Sequence, residues 1–294
     1  MAVANIEFRV CRRAGEYAAL IPEVSQLFSM VFERPFPAEA WDQWYLNNPD
    51  GEPMVALGYH EDRLVAHHAF LPQTLLGSAG DRLRYCLSVS TMVHPEFRRL
   101  QAFMQMVDSL HEEAGKPDAG FGFVLAFPNA RSAPLFEQLY GYKPILLTEL
   151  SDWKPALSIA RGVASWNSTA AEHKPRYSVP GDEAYWNWRT RNNHAKSRTT
   201  GGKLHLVYKV MAPATLMLLD ARPEGERDAA ECVSRFATDL GLTEVRLTKY
   251  HAALLGIPDA ELRPHEGYVV RFYGFPLTRE VPDIQFNLLL SDVV

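Results

Sequence analysis

Cysteine is scarce in this chain. The three present, Cys11, Cys86 and Cys232, are far apart, odd in number and never form a Cys-x-x-Cys pair. Such spacing offers neither a disulfide framework nor a zinc knuckle, and points to a reducing compartment and no bound metal. Long apolar runs are missing as well: no stretch of about 18 apolar residues occurs, and residues 1–13 lack the apolar segment of a signal peptide. The expectation is a cytoplasmic protein with no membrane partner. A basic excess is absent too. Lys and Arg number 30 against 35 Asp and Glu, for a formal net charge of −5, the opposite of the electrostatic footprint of a DNA-binding protein.

What is present is globular. The chain has 294 residues, 47% hydrophobic and 22% charged, enough apolar material for a full core and enough length for two domains. Alternation predicts a strand over residues 6–10. Leu20, Val24, Leu27, Phe28 and Val31 recur at spacings of three and four and predict a helix over 17–32, closed by Pro35 and Pro37. Strands follow over 54–59, 64–71 and 84–93, with a turn at Glu61-Asp62. A helix over 103–114, a strand over 120–126, a short helix over 133–139 and a strand over 142–147 complete the first half. Antiparallel hairpins followed by β-α-β-α-β predict a mixed α/β sheet with a parallel portion.

Residues 155–180 are polar and weakly periodic, and read as a connection. Beyond them the plan repeats: strands over 203–210 and 215–220, a helix over 227–240, a strand over 244–248, a short helix over 252–255 and a strand over 268–274. An internal echo supports duplication. Trp41, Trp44 and Asn48 precede the first hairpin at the spacing with which Tyr185, Trp188 and Asn192 precede the second. The domains expected are 1–152, a connection over 153–180, and 181–294.

Two segments carry chemistry. In the first, a strand ending at His94-Pro95 runs through Arg98 and Arg99 into a helix. The free N–H groups and dipole of such a helix start suit a pyrophosphate; a plain strand-turn-helix connection with two solvated arginines fits the same residues. In the second, a strand breaks at Asn129 and a short helix leads to Gly141-Tyr142, with Asn129 and Ser132 in ordinary capping positions.

Taken together, Val93-His-Pro95-Glu-Phe97-Arg98 and Asn129-Ala-Arg-Ser132-Ala-Pro-Leu135-Phe136, with Gly141-Tyr142 after them, resemble the motifs of the GNAT (acetyl-CoA-dependent N-acetyltransferase) superfamily. By element order the resemblance covers about residues 5–150, and its motifs lie within 88–142. The wording is similar to that of bacterial GNAT proteins built from two halves, as is the closing stretch 287–292. The resemblance implies a GNAT fold in two tandem halves, with acetyl-CoA or another acyl-CoA as co-substrate and no metal. It places the CoA at Met92, Val93, Arg98, Arg99, Leu100, Gln101, Ala102, Phe103, Asn129, Ser132 and Phe136. The sequence departs from the family pattern at Gln101, where the loop has glycine, and at Phe103, where it has glycine or alanine. Both are expected to crowd the approach of the phosphates. Phe136 stands where many GNATs carry the tyrosine that protonates the leaving thiolate, so that role would pass to Tyr140, Tyr142 or water.

Attack by an amine needs a proton removed. His67, His68, Ser90 and His94 are the candidate bases or water-polarising groups. His67 and His68 are neighbours on one strand and face opposite sides, so one of them is expected to look into the site. The resemblance assigns the oxyanion to a backbone N–H at Val93 or its neighbour. Glu33 and Asp42 are candidates for the acceptor pocket, as are Trp41, Trp44, Tyr45, Trp186 and Trp188, whose ring faces suit sugars and ammonium groups; core anchoring is the plainer role for them. A basic stretch over 189–209, with six Lys and Arg and no acid, could hold phosphates or stand as a solvated arm.

The leading expectation is an N-acyltransferase acting on a small-molecule amine, an amino sugar or a biosynthetic intermediate. The alternatives are an aminoacyl-tRNA-dependent transferase and a catalytically degenerate GNAT-fold binding protein. A homodimer is left open.

Overall fold

The computed structural model describes residues 5–155, 177–180, 183–191, 196–200, 204–211, 213–223 and 229–285. Most of the predicted connection, the tip of the basic stretch at 201–203 and the closing segment 287–292 lie outside the described residues. The chain divides into two compact units: Met1–Phe127, Glu137–Lys143 and Tyr273–Pro282 form the first, and Pro128–Phe136, Pro144–Phe272 and Asp283–Val294 the second.

In the first unit β1 (Glu7–Cys11), β2 (Met54–His60), β3 (Arg63–Gly77) and β4 (Arg82–Val93) lie side by side and antiparallel. Next comes β5 (Phe123–Ala126), parallel to β4. Its far edge is taken by Tyr273–Pro276, the end of the long strand β12 (Leu262–Pro276). From Leu64 to Leu75 every residue of β3 is buried, as expected of a strand covered on both faces.

The helix predicted over 17–32 is two helices, α1 (Ala14–Ala18) and α2 (Ile21–Phe32). Pro22 explains the break. It lacks an N–H and fits only a first turn, which is where it stands in α2. The α3 helix (Ala38–Trp41) and a π-helical turn (Asp42–Leu46) follow. The α4 helix (Leu100–Ala114) starts three residues before its predicted start and buries Ala102, Phe103, Met106, Val107, Leu110 and Ala114, spacings that make one face.

In the second unit β12 lies beside β6 (Lys143–Trp153), followed by β11 (Glu244–Thr248), β10 (Thr215–Pro223), β9 (Leu204–Met211) and β8 (Lys196–Thr200). A short β7 (Tyr177–Ser178) and helices α6 (Glu183–Arg189), α7 (Ala229–Asp239) and α8 (Lys249–Leu255) complete its elements, while α5 (Ala133–Tyr140) is divided after Phe136 between the second unit and the first. The core gathers Trp153, Leu216, Leu218, Val233, Phe236, Val245 and Leu247. The Trp153 indole N–H is satisfied by Glu261 at 3.0 Å.

The two units share a plan. In the first, β4 keeps parallel register with β5 over Cys86 to Ser88, and a bulge follows between Val89 and Met92. In the second, β10 keeps parallel register with β11 over Thr215 to Met217, and a bulge follows between Leu218 and Asp220. The echoed segments match too: the Trp41 and Trp44 segment and the Tyr185 and Trp188 segment are both helical, and all four rings are buried.

Among the described residues no helix is long and apolar enough to cross a membrane, and no group of three or more His, Cys, Asp or Glu gathers as a metal site would require.

Candidate active site

The centre of interest is the bulged end of β4. The bulge leaves Ser90 at φ +52°, a backbone conformation that costs a non-glycine residue about 1 kcal/mol. Past the bulge, β4 stays paired with β3: Met92 opposes His67, Val93 opposes Ala66, and the His94 N–H donates to the Val65 carbonyl at 2.8 Å. N–H groups alternate sides along an antiparallel ladder. The Val93 N–H therefore points away from β3, towards the side where the register with β5 has already ended at Ser88. That leaves a backbone donor on an open strand edge.

Pro95–Phe97 then makes a 3-10 turn and α4 begins. No side chain caps this helix, and its first turn holds no acid. Arg98, Arg99, Leu100 and Gln101 are exposed around it, Leu100 at 50% despite its apolar side chain. The Arg98 Nε donates to the Val93 carbonyl at 3.1 Å, which ties the turn to the strand end. The arrangement has the features that favour an anion: orphan N–H groups, the positive end of a helix dipole and two guanidinium groups.

The histidines do not serve as free bases. His67 and His68 do face opposite sides, but both are fully buried. The carbonyl of Ser90 can only accept, so the His67 Nδ1, 2.9 Å away, carries the proton and donates. The His67 Nε2 then accepts from the Tyr17 hydroxyl at 2.8 Å, and that hydroxyl accepts from the Trp41 Nε1 at 2.8 Å. On the opposite face the His68 Nδ1 meets the Thr91 hydroxyl at 2.7 Å, with the Ser88 hydroxyl at 3.3 Å from its Nε2. Burial, the largest influence on each, lowers the pKa of His67 to about 4 and that of His68 to about 3. Both are neutral and fully engaged, so the expectation that one of them looks into an open site is not met. His94 is engaged as well. Arg63 donates to its Nε2 at 2.7 Å, and a guanidinium has no acceptor, so this nitrogen has no lone pair left for a substrate. Burial first and the Arg63 charge second push its pKa below the ordinary histidine value.

The Tyr140 hydroxyl donates to the Met104 carbonyl at 3.0 Å, and burial raises its pKa. Its proton is thus engaged by α4, through the Met104 carbonyl and the Asp108 carboxylate. We expect Tyr140→Phe to lower stability by about 1 kcal/mol and to leave turnover within about twofold; steady-state kinetics and thermal melts on the variant check this.

Trp41, Trp44 and Trp188 are buried at 5%, 9% and 4% exposure. Trp41 stacks on Tyr45 with ring centroids 4.4 Å apart. These rings hold the core rather than offer open faces to a sugar. The side chain of Trp186 lies outside the described residues. Glu33 is the exposed left-handed C-cap of α2, and the Asp42 carboxylate accepts from the Asn47 amide at 2.8 Å. Asn129, Ser132 and Phe136 belong to the second unit. There the Asn129 Oδ1 accepts the N–H groups of Arg131 and Ser132, at 2.9 and 3.0 Å, and Phe136 is buried.

A groove in the first unit is lined by Glu23, Gln26, Leu27 and Met30 of α2, by Asp62, Arg63 and Leu64 at the β2–β3 turn, and by His94. Sequence reasoning passed over Tyr17 and Arg63. Their partners lie 50 and 31 positions away, and no local pattern announces such pairs.

Neither a protein-family model nor a curated protein matches the sequence. Solved structures do. A GCN5-related N-acetyltransferase from Kribbella flavida superposes with a TM-score of 0.66 at 13% identity, over 95% of this chain and 73% of that one. A tandem GNAT protein from the clavulanic acid biosynthesis pathway, solved without AcCoA, gives 0.56 at 11% identity, over 94% of this chain and all of that one (100%). This chain has the GNAT fold. A third match, the Saccharomyces cerevisiae N-myristoyltransferase with bound myristoyl-CoA, gives 0.55 at 10% identity over 94% and 79% of the two chains.

In the GNAT frame, the loop resembling the CoA-binding motif coincides with the uncapped start of α4. The two departures there take on a different meaning. Phe103 is 7% exposed, with its ring 6.2 Å from that of Tyr140, so it packs inward and does not crowd the outer face of the helix start. Gln101 points to solvent. In the second unit the stretch before α7, residues 223–228, reads Pro-Glu-Gly-Glu-Arg-Asp. By sequence, its three carboxylates disfavour a pyrophosphate there.

Proposed function

We propose that this protein is an N-acyltransferase that moves an acetyl or short acyl group from acyl-CoA to the amine of a small molecule, such as an amino sugar or a biosynthetic intermediate. One observation carries the reading: a β4 edge released from β5, with the Val93 N–H on its open side, runs directly into an exposed, uncapped helix start flanked by Arg98 and Arg99.

In this reading the first turn of α4 and the two arginines hold the pyrophosphate. The thioester lies along the open edge of β4, where the Val93 N–H meets the oxygen of the carbonyl under attack. The amine nitrogen bonds to the carbonyl carbon, the C–S bond breaks, and the thiolate leaves as CoA. The lone pairs of His67 and His94 are already taken, and His68 is held between Ser88 and Thr91. The amine proton therefore passes to solvent water, and the thiolate is protonated from solvent. The groove beside His94, with Glu23 and Asp62 on its walls, favours an acceptor that arrives as an ammonium ion and gives up one proton to solvent water before its nitrogen attacks.

Isothermal titration with acetyl-CoA and with free CoA tests the donor. Micromolar binding of both is expected. Replacing Arg98 and Arg99 together by Ala should weaken it by at least tenfold, since a hydrogen bond to a charged group contributes about 1.5–3 kcal/mol. Absence of binding by acetyl-, propionyl- and longer acyl-CoAs would overturn the reading.

A further inference from the structure

The bulge of β4 does not hold itself. Ser90 is in a left-handed conformation that its own side chain disfavours, and β5 gives no register beyond Ser88. Something must fix this segment if the Val93 N–H is to stay in one place. His67 and His68 grip the two central bulge residues from opposite faces of the sheet. His67 binds the Ser90 carbonyl at 2.9 Å, and His68 binds the Thr91 hydroxyl at 2.7 Å.

We propose that Trp41, Tyr17 and His67 form a buried positioning chain that fixes the β4 bulge, and with it the backbone donor that polarises the thioester carbonyl. The inference rests on the acyl-transfer reading of this site.

Every link has one direction. An indole N–H only donates, and a backbone carbonyl only accepts. The order Trp41 N–H to Tyr17 oxygen, Tyr17 O–H to His67 Nε2, and His67 Nδ1–H to the Ser90 carbonyl is therefore unique. All three side chains are at least nine-tenths buried. A buried polar group left without its partner is costly, so breaking one link stresses the others and frees Ser90. The residue at position 67 must donate on one side and accept on the other. Imidazole does both, and a glutamine amide can replace it, whereas phenylalanine fills similar space and does neither. Tyr17, His67 and Trp41 are positioning residues, since the hydrogen bonds of the chain run among them and end on the Ser90 carbonyl.

The experiment compares Tyr17→Phe, His67→Phe and His67→Gln with the parent protein. Amide hydrogen exchange of the segment spanning residues 88–94 is measured without ligand. Exchange is expected to rise at least tenfold in the two Phe variants and to return towards the parent rate in His67→Gln. The carbonyl stretch of acetyl-CoA carrying carbon-13 at its carbonyl is then recorded by difference infrared spectroscopy. In the parent it should fall below that of the free thioester. In the Phe variants it should move back towards the free value, while the acetyl-CoA affinity from titration stays within about threefold. Unchanged exchange at 88–94 in Tyr17→Phe, an isosteric substitution that keeps the core filled, would overturn the proposal, as would an unmoved carbonyl band. Failure of the parent to bind acetyl-CoA would sink the acyl-transfer reading, and the exchange data would still decide whether the chain pins the bulge.

Discussion

Lowering the pH from 7 to 5 is expected to destabilise the first unit by about 4 kcal/mol through two histidines alone. In the unfolded chain an imidazole takes up its proton near pH 6.5. In the folded protein burial holds His67 neutral down to about 4 and His68 down to about 3. Between those values the unfolded state binds more protons, so stability falls as the pH is lowered through 6.5, and the fall levels off once the folded pKa values are passed. Each group loses about 1.4 kcal/mol per pH unit across that window, or about 2 kcal/mol each by pH 5. His111, lowered to about 4 chiefly by burial, acts in the same direction. Set against a typical domain stability of about 5–15 kcal/mol, the loss is large. Urea denaturation followed by circular dichroism at pH 5, 6 and 7 should show the midpoint falling steadily towards acid. A midpoint independent of pH over this range would contradict the burial of these imidazoles as neutral bases.

The second large effect is at Phe103. If its side chain crowded the phosphates, Phe103→Ala should open the loop and tighten acyl-CoA binding. The structure predicts otherwise. The ring is packed on the core face of α4 with Met106, Val107 and Leu110, so truncation should cost about 3–5 kcal/mol by leaving a cavity, with acyl-CoA affinity changed by less than about threefold. Thermal melts and titration on the same preparation separate the outcomes. A gain in affinity of tenfold or more would mean that the phenyl ring limits the site after all. Gln101→Gly is the companion variant: its exposed position predicts a helix penalty of about 1 kcal/mol and little change in binding.

Much of the fold was legible in the sequence because the signals were local. The 3.6-residue periodicity of α4 and the alternation within β1 identified their elements directly. Pro22 sits inside a run of helical spacing, so periodicity joined α1 to α2 where the missing N–H divides them. The repeat was visible as an aromatic spacing, and its firmest support, the matched bulges in β4 and β10, lies in strand register, which sequence does not display. The candidate anion-binding features could be read from Arg98, Arg99 and the strand-to-helix transition. The roles of the histidines could not. A histidine beside a presumed cleft reads as a base, and only the partners on both ring nitrogens make His67 a strut, just as the Arg63 donor occupies the Nε2 of His94. Those partners come from distant positions, and tautomer logic needs to know which atoms they offer.

The pairing of β5 with Tyr273–Pro276 bears on how the protein is made. A ribosome releases β1 to β5 long before the residues that cover the edge of β5 have been synthesised. Until they emerge, the nascent first unit carries a bare strand edge able to pair with other chains. Its sheet therefore closes only after residue 276 has left the ribosome, and a fragment stopped at residue 152 would expose that edge permanently.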